Sequence, residues 1–236
     1  MTRPPVIEIV AHRGDPVGEP ENTVASIRRA IADGARVVEV DVRLSAEGTP
    51  VLLHDATTER LWGRGAPVGR QSLAQLRALR AVGRRDAVGI PTLAEALAAA
   101  DGARLLIDLP DRRTAPAAWE VAHASGAPVA WCGDLGGLRT VRRLDPGAEL
   151  WLTWHRPGFP GAALLAKLRP HRVNPFHRLV NDQWVRLARR AGVEVSCWTV
   201  DDIGRARRLA DSGVAAIISN RAASLRSALQ PASVAL

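Results

Sequence analysis

From about residue 100 onward the chain alternates between short apolar runs and longer segments with helical periodicity, and this alternation constrains the fold most. The runs predict strands at 104–109, 128–132, 149–152, 172–174, 193–200 and 214–219, with helices at 116–125, 135–144, 161–168, 181–191, 203–212 and 221–229. Earlier apolar runs at 6–11 and 37–42 raise the count to eight strands. Strands separated by helices pair in parallel, and eight such units argue for a closed ring. The expected fold class is therefore α/β, a (β/α)8 TIM barrel. Its length of 236 residues suits a single domain spanning 1–236. An open doubly wound sheet is the competing arrangement, but neither GxGxxG nor GKS/T follows the first strand.

The first third of the chain carries an interruption. In VVEVDVRLSAEGTPVLLHD, residues 37–55, a turn at Ser45-Ala46-Glu47-Gly48 separates two apolar runs. The gap is too short for a parallel crossover, so the return strand must run antiparallel, making a β-hairpin excursion after strand 2. Glu39 and Asp41 share one face because strand side chains alternate. The return strand brings His54 back opposite Glu39 to Asp41. Before the hairpin, Asn22 is the expected N-cap of a helix that buries Val24, Ile27, Ala30 and Ile31, and Gly34 ends it. After it, residues 55–69 read as loop, Ser72 caps a short helix at 73–79, and Pro91-Thr92 opens another at 93–100.

Barrel active sites lie at the C-terminal ends of the strands. There the sequence places His12 and Arg13, Glu39 and Asp41, His54, Asp108 with Asp111, and Trp198 with Thr199. Three inward carboxylates at one end of a barrel repel one another unless a cation joins them, and oxygen-only ligation suits Mg2+ or Ca2+ rather than zinc. Two histidines suit proton transfer near neutral pH, one as base and one as acid. Arg13 suits a phosphate or carboxylate. Each residue also has a plainer reading. Strand-end aspartates often cap the following helix, which accounts for Asp55, Asp111, Asp134 and Asp201. A strand-end histidine is often only structural. Glu39 and Asp108 resist such readings, because an unpaired carboxylate inside an apolar strand is costly. His123, His155, His171 and His177 fall in helices or loops, where surface or capping roles are expected.

The formal charge of +8 raises the possibility of a nucleic-acid partner. The arginines are dispersed, however, as in Arg28-Arg29, Arg84-Arg85, Arg142-Arg143, Arg189-Arg190 and Arg207-Arg208, with no basic stripe interleaved with aromatics. Nucleic acid is thus not the expected partner, although a positive field would help attract an anionic substrate. Cys132 and Cys197 lack metal-ligand spacing and are expected as reduced core thiols. No signal-peptide pattern or membrane-length apolar run is evident, so a cytoplasmic protein without membrane insertion is expected. The oligomeric state is not legible.

The motifs AHRGDPVGEPENT, VEVDVRLSAEGTPVLLHD, IPTLAEAL and VSCWTV with GVAAIISN occur in an order that resembles the glycerophosphodiester phosphodiesterase family. The resemblance implies a metal-dependent barrel that cleaves glycerophosphodiesters to glycerol 3-phosphate and an alcohol. It further implies metal ligation by Glu39, Asp41 and Asp108 with a divalent cation, Mg2+ or Ca2+. Acid/base roles fall to His12 and His54, and phosphate contact to Arg13. Glu21, within PENT, supports the substrate site, and Trp198 lines its pocket. One departure stands out. Members of that family usually carry Glu-x-Lys where this chain has Asp108-Leu109-Pro110, with Arg112 or Arg113 available to replace the missing cation. That change leaves open a shifted substrate or a catalytically impaired barrel that binds phosphate compounds.

Overall fold

A computed structural model describes residues 7–83 and 89–229. In chain order the elements are β1 (Glu8–His12), α1 (Val24–Ala32), β2 (Val37–Leu44), β3 (Pro50–Leu52), β4 (Thr57–Thr58), α2 (Glu59–Trp62), β5 (Arg64–Pro67), α3 (Leu73–Ala78), α4 (Leu93–Ala99), β6 (Arg104–Leu109), α5 (Thr114–Ser125), β7 (Val129–Gly133), α6 (Leu135–Leu144), β8 (Trp151–Trp154), α7 (Ala162–Leu168), β9 (Arg172–Pro175), α8 (Asp182–Arg190), β10 (Glu194–Cys197), α9 (Ile203–Asp211), β11 (Ala216–Ser219) and α10 (Ala222–Leu229).

Eight of these strands pair in parallel in the order β7-β6-β2-β1-β11-β10-β9-β8. The two ends of this series meet at a parallel bridge between Trp131 and Leu150, which nearly closes the ring. The (β/α)8 barrel expected from the alternation is what forms, and the open sheet is excluded. Alternation along each strand sorts the side chains. Val38, Val40, Val42, Ile107 and Leu109 pack outward beneath the helices, while Val10, Val37, Leu106, Ala130, Trp151 and Ile218 fill the barrel interior.

The hairpin also forms, with Val42 opposite Leu52 and Leu44 opposite Pro50. Its far side is larger than expected. Residues 55–69 are not a bare loop: they contain β4, α2 and β5, closed by a 3-10 turn at Val68–Arg70. This insert has its own apolar cluster, in which Val51, Leu53, Trp62, Val68, Leu76 and Ile90 are buried together. Two short helices start where the capping signals lie, with reciprocal capping boxes at Ser72/Gln75 and Thr92/Glu95. The cap of α1 is corrected. Thr23, not Asn22, accepts the Ser26 N–H, and Asn22 adopts a left-handed φ of 57° with its amide turned elsewhere. The strand expected at 193–200 ends at Cys197, and that expected at 149–152 lies at Trp151–Trp154. Val6 and Arg84-Arg85 lie outside the described residues. Among the described residues, no helix is long and apolar enough to cross a membrane.

Candidate active site

At the C-terminal ends of the strands lies a cavity of ≈ 560 Å³. Its lining includes His12, Arg13, Glu39, Asp41, His54, Asp108 and Trp198, so seven of the eight residues singled out from sequence meet in one place. The eighth, Glu21, is not in the lining. Its carboxylate accepts Arg13 Nη1 at 2.9 Å and Arg60 Nη2 at 2.7 Å, so it acts on the arginine beside the cavity.

Strand register assembles the carboxylates. Asp41 on β2 is level with Asp108 on β6, which is level with Cys132 on β7, and His12 on β1 is level with Glu39. Neighbouring strands lie about 4.8 Å apart, so the groups are crowded. Glu39 is only 3 % exposed. Its Oε2 accepts the Arg13 backbone N–H at 3.0 Å and lies 3.8 Å from His12 Nε2. Burial, reinforced by the charges of Asp41 and Asp108, pushes its pKa well above the usual carboxylate range. Burial and the neighbouring Asp41 likewise push Asp108 up to about 7. The Asp108 carboxyl has a weak partner in the Cys132 thiol, at 3.5 Å. Cys132 is a free, buried core thiol, as expected, that also walls the cavity, and burial beside Asp108 holds its proton on.

Asp41 is held differently. Asn22 accepts the Asp41 backbone N–H through Oδ1 and donates through Nδ2 to Asp41 Oδ2. The same oxygen lies 3.1 Å from Arg13 Nε, although that N–H is not aligned for a hydrogen bond. Arg13 is placed by an unusual turn. It has φ 59° and Gly14 has φ 86°, and a Cβ on Gly14 would lie 2.2 Å from Ser26 Oγ. Only glycine fits so close an approach in that conformation.

The two histidines have contrasting anchors. His54 is half-exposed, and its Nδ1 lies 2.7 Å from Asp55 Oδ1, while Arg60 Nε donates to Asp55 Oδ2 at 2.6 Å. Arg60 thus ties Asp55 to Glu21. His12 is enclosed, and its Nδ1 is 2.7 Å from Asn220 Oδ1. Burial, with Arg13 nearby, lowers the His12 pKa below its ordinary value.

Sequence reasoning missed Asn22, Asp55, Arg60, Asp201 and Asn220 as parts of this framework. It also missed His155, which lines the cavity and meets the Trp198 ring edge-on at 5.3 Å. Asp134 caps α6, as a strand-end aspartate should, and Asp111 accepts the N–H groups of Arg113 and Thr114 at the start of α5. Asp201 does not cap α9, because Asp202 does. Neither Arg112 nor Arg113 lines the cavity beside Pro110. The additional cations there are Arg43, whose guanidinium holds the His54 carbonyl, and Arg156, which lies over Trp154.

The donor set fits a hard divalent cation in kind. Glu39 is a buried oxygen donor and Asp108 a partly buried one, and burial together with the neighbouring Asp41 raises both pKa values. Among the described residues, however, no three His, Cys, Asp or Glu side chains are gathered closely enough to hold an ion as they stand.

Residues 12–224 match the model of the Glycerophosphoryl diester phosphodiesterase family. A glycerophosphodiester phosphodiesterase of Caldanaerobacter subterraneus subsp. tengcongensis is 25% identical over 227 residues, which covers 90% of this chain and 93% of the relative. Among solved structures, a phosphodiesterase of Oleispira antarctica in complex with the product sn-glycerol-3-phosphate superposes with a TM-score of 0.88 at 26% identity, covering 94% and 96% of the two chains. A protein of Silicibacter pomeroyi shares the fold, with a TM-score of 0.86 at 22% identity over 96% of this chain and 94% of that one.

Proposed function

The chain belongs to the glycerophosphoryl diester phosphodiesterase family, and on that premise we propose that it hydrolyses glycerophosphodiesters to glycerol 3-phosphate and an alcohol. It is a phosphodiester hydrolase. In our reading His12 and His54 transfer the protons, and Glu39, Asp41 and Asp108 hold a divalent cation, Mg2+ or Ca2+. We further read residues 1–236 as a single domain.

One observation carries the catalytic part. Two histidines, each anchored through Nδ1, line a cavity floored by three carboxylates. Anchoring at Nδ1 leaves Nε2 of each ring to serve the substrate. One imidazole takes a proton from the attacking hydroxyl, which belongs to water or to the neighbouring glycerol. The other gives a proton to the departing alkoxide. Arg13, with an Nε–H that lacks an aligned acceptor, is the cation a phosphate oxygen would meet beside the floor. Trp198 lines the same cavity. A divalent cation on the carboxylates would neutralise charge on the phosphate oxygens as phosphorus is attacked.

A second reading rests on Asp108 and Pro110. The short carboxylate, and a proline where a cation is usual, favour either a shifted alcohol or a barrel that binds phosphate compounds without turning them over. Release of glycerol 3-phosphate from glycerophosphocholine or glycerophosphoethanolamine with Mg2+ or Ca2+ present separates the two. Ligand binding by calorimetry without product, across a panel of diesters, would establish the second reading instead.

A further inference from the structure

Three adjacent strands of the ring, β10, β11 and β1, end in residues that hydrogen-bond in series. Asp201 follows β10, Asn220 follows β11, and His12 closes β1. The Asp201 carboxylate is itself fixed. Its Oδ1 accepts the Ser219 hydroxyl at 2.9 Å and the Asn220 backbone N–H at 2.8 Å, and its Oδ2 accepts Asn220 Nδ2 at 2.8 Å. At the other end of that amide, Asn220 Oδ1 lies 2.7 Å from His12 Nδ1.

We propose that Asp201 and Asn220 form a positioning relay that fixes His12 as its Nδ1–H tautomer and so reserves Nε2 for proton transfer. The logic is one of donors and acceptors. An ionised carboxylate only accepts, so the amide end facing Asp201 must be the NH2 group. Its carbonyl therefore faces His12, and a carbonyl only accepts, so His12 Nδ1 must carry the proton. In a neutral imidazole the other nitrogen then holds the lone pair. That nitrogen, Nε2, is the one on the Glu39 side, at 3.8 Å. These three hydrogen bonds keep Asp201 ionised: burial alone would raise its pKa, but the bonds from Asn220 and Ser219 outweigh it. The relay differs in kind from the anchor of His54, which meets a carboxylate directly. Neither Asp201 nor Asn220 is among the residues that line the cavity. They act through His12, and the proposal rests on reading His12 as a proton-transfer group.

The test is the imidazole 15N–1H correlation spectrum of histidine-labelled protein in mildly alkaline buffer. The His12 signals are assigned by their loss in His12→Gln. In the wild type His12 should show a protonated Nδ1 and an unprotonated Nε2; the reverse pattern overturns the relay. In Asp201→Asn the amide is free to turn, so the single-tautomer pattern should be lost, and kcat should fall by about 10-fold or more while KM changes little. An unchanged tautomer together with unchanged kcat in that variant contradicts the proposal. The exchanged pair Asp201→Asn/Asn220→Asp should restore the Nδ1–H pattern, because the new carboxylate accepts that proton directly. The wild-type spectrum requires no turnover. A protein inactive on every diester but with His12 in the Nδ1–H form would remove the functional reading and leave the relay standing.

Discussion

The two sides of the cavity are built on different principles. On the β1–β2 side nearly every polar group is held by another. Asn22 grips Asp41 at two points, Glu21 joins Arg13 to Arg60, Asp55 anchors His54, and Asn220 anchors His12. On the β6–β7 side the only side-chain hydrogen-bond partner of the Asp108 carboxyl among the described residues is the Cys132 thiol, a long contact, next to Pro110 and Gly133. Gly133, at φ 104°, is confined there, since a Cβ would lie 2.3 Å from the Leu109 carbonyl oxygen and 2.6 Å from Asp108 Oδ1. The first side is preorganised by the protein's own hydrogen bonds, which lowers the cost of orienting groups during reaction. The second holds a carboxyl whose proton is retained up to about pH 7 by burial and the neighbouring Asp41.

The largest effect should come from the organised side. His12→Ala and His54→Ala should each lower kcat by roughly 10²–10⁴ on a glycerophosphodiester, with folding intact by circular dichroism. Retention of wild-type kcat in either variant would remove that histidine from the chemistry. A smaller loss is expected on cutting the tie between the two anchors. Arg60→Ala removes one partner from each of Asp55 and Glu21, and should reduce kcat by about 10-fold. It should cost less than about 1 kcal/mol of stability, because Arg60 is nearly half exposed. Kinetics and thermal melting of the same preparation check both halves of this prediction.

The other side should reveal itself through pH. In the fold Asp108 titrates at about 7 against an ordinary 3.8, so between those values the unfolded chain ionises while the native carboxyl stays protonated. The unfolded state therefore binds fewer protons, and without divalent cation stability should fall as pH rises from about 3.8 to about 7 and then level off. Glu39, also raised, acts in the same direction. His12, lowered below 6.5, opposes them, since its contribution is lost as pH falls from 6.5 through its native value. Subtracting the Asp108→Asn profile from the wild type isolates the Asp108 component, which Mg2+ or Ca2+ should reverse at neutral pH. A flat difference curve would mean that Asp108 is not held protonated. The smallest effect belongs to Cys132→Ala. Loss of one long, weak contact should change stability by no more than about 1 kcal/mol beyond the volume removed, readable in a denaturant titration.

The same contrast explains what could be read from sequence. The barrel was legible because strand and helix periods differ and repeat eight times. Glu39, Asp41 and Asp108 were legible because carboxylates break apolar strands. The groups that organise the site were not. Asn22 carries the signature of a helix cap, and only the left-handed turn that sends its amide to Asp41 shows otherwise. Asp201 and Asp202 are equivalent as caps in sequence, and the structure gives that role to Asp202 while Asp201 holds Asn220. Arg60 is one of many arginines in a stretch that reads as loop, and its partners lie 39 and 5 residues away. Such contacts depend on closure of the ring and folding of the insert, which local pattern does not encode.

We propose that an organised pair of histidines works on a diester across carboxylates that hold a cation. It is tested most directly by following glycerol 3-phosphate release from glycerophosphocholine and glycerophosphoethanolamine while Mg2+ or Ca2+ is titrated into chelator-treated wild-type and Asp108→Asn protein. No turnover is expected without cation, with saturable recovery in the wild type and recovery shifted to higher cation concentration in Asp108→Asn. Full turnover in chelator, or identical titration curves for the two proteins, would contradict the proposal.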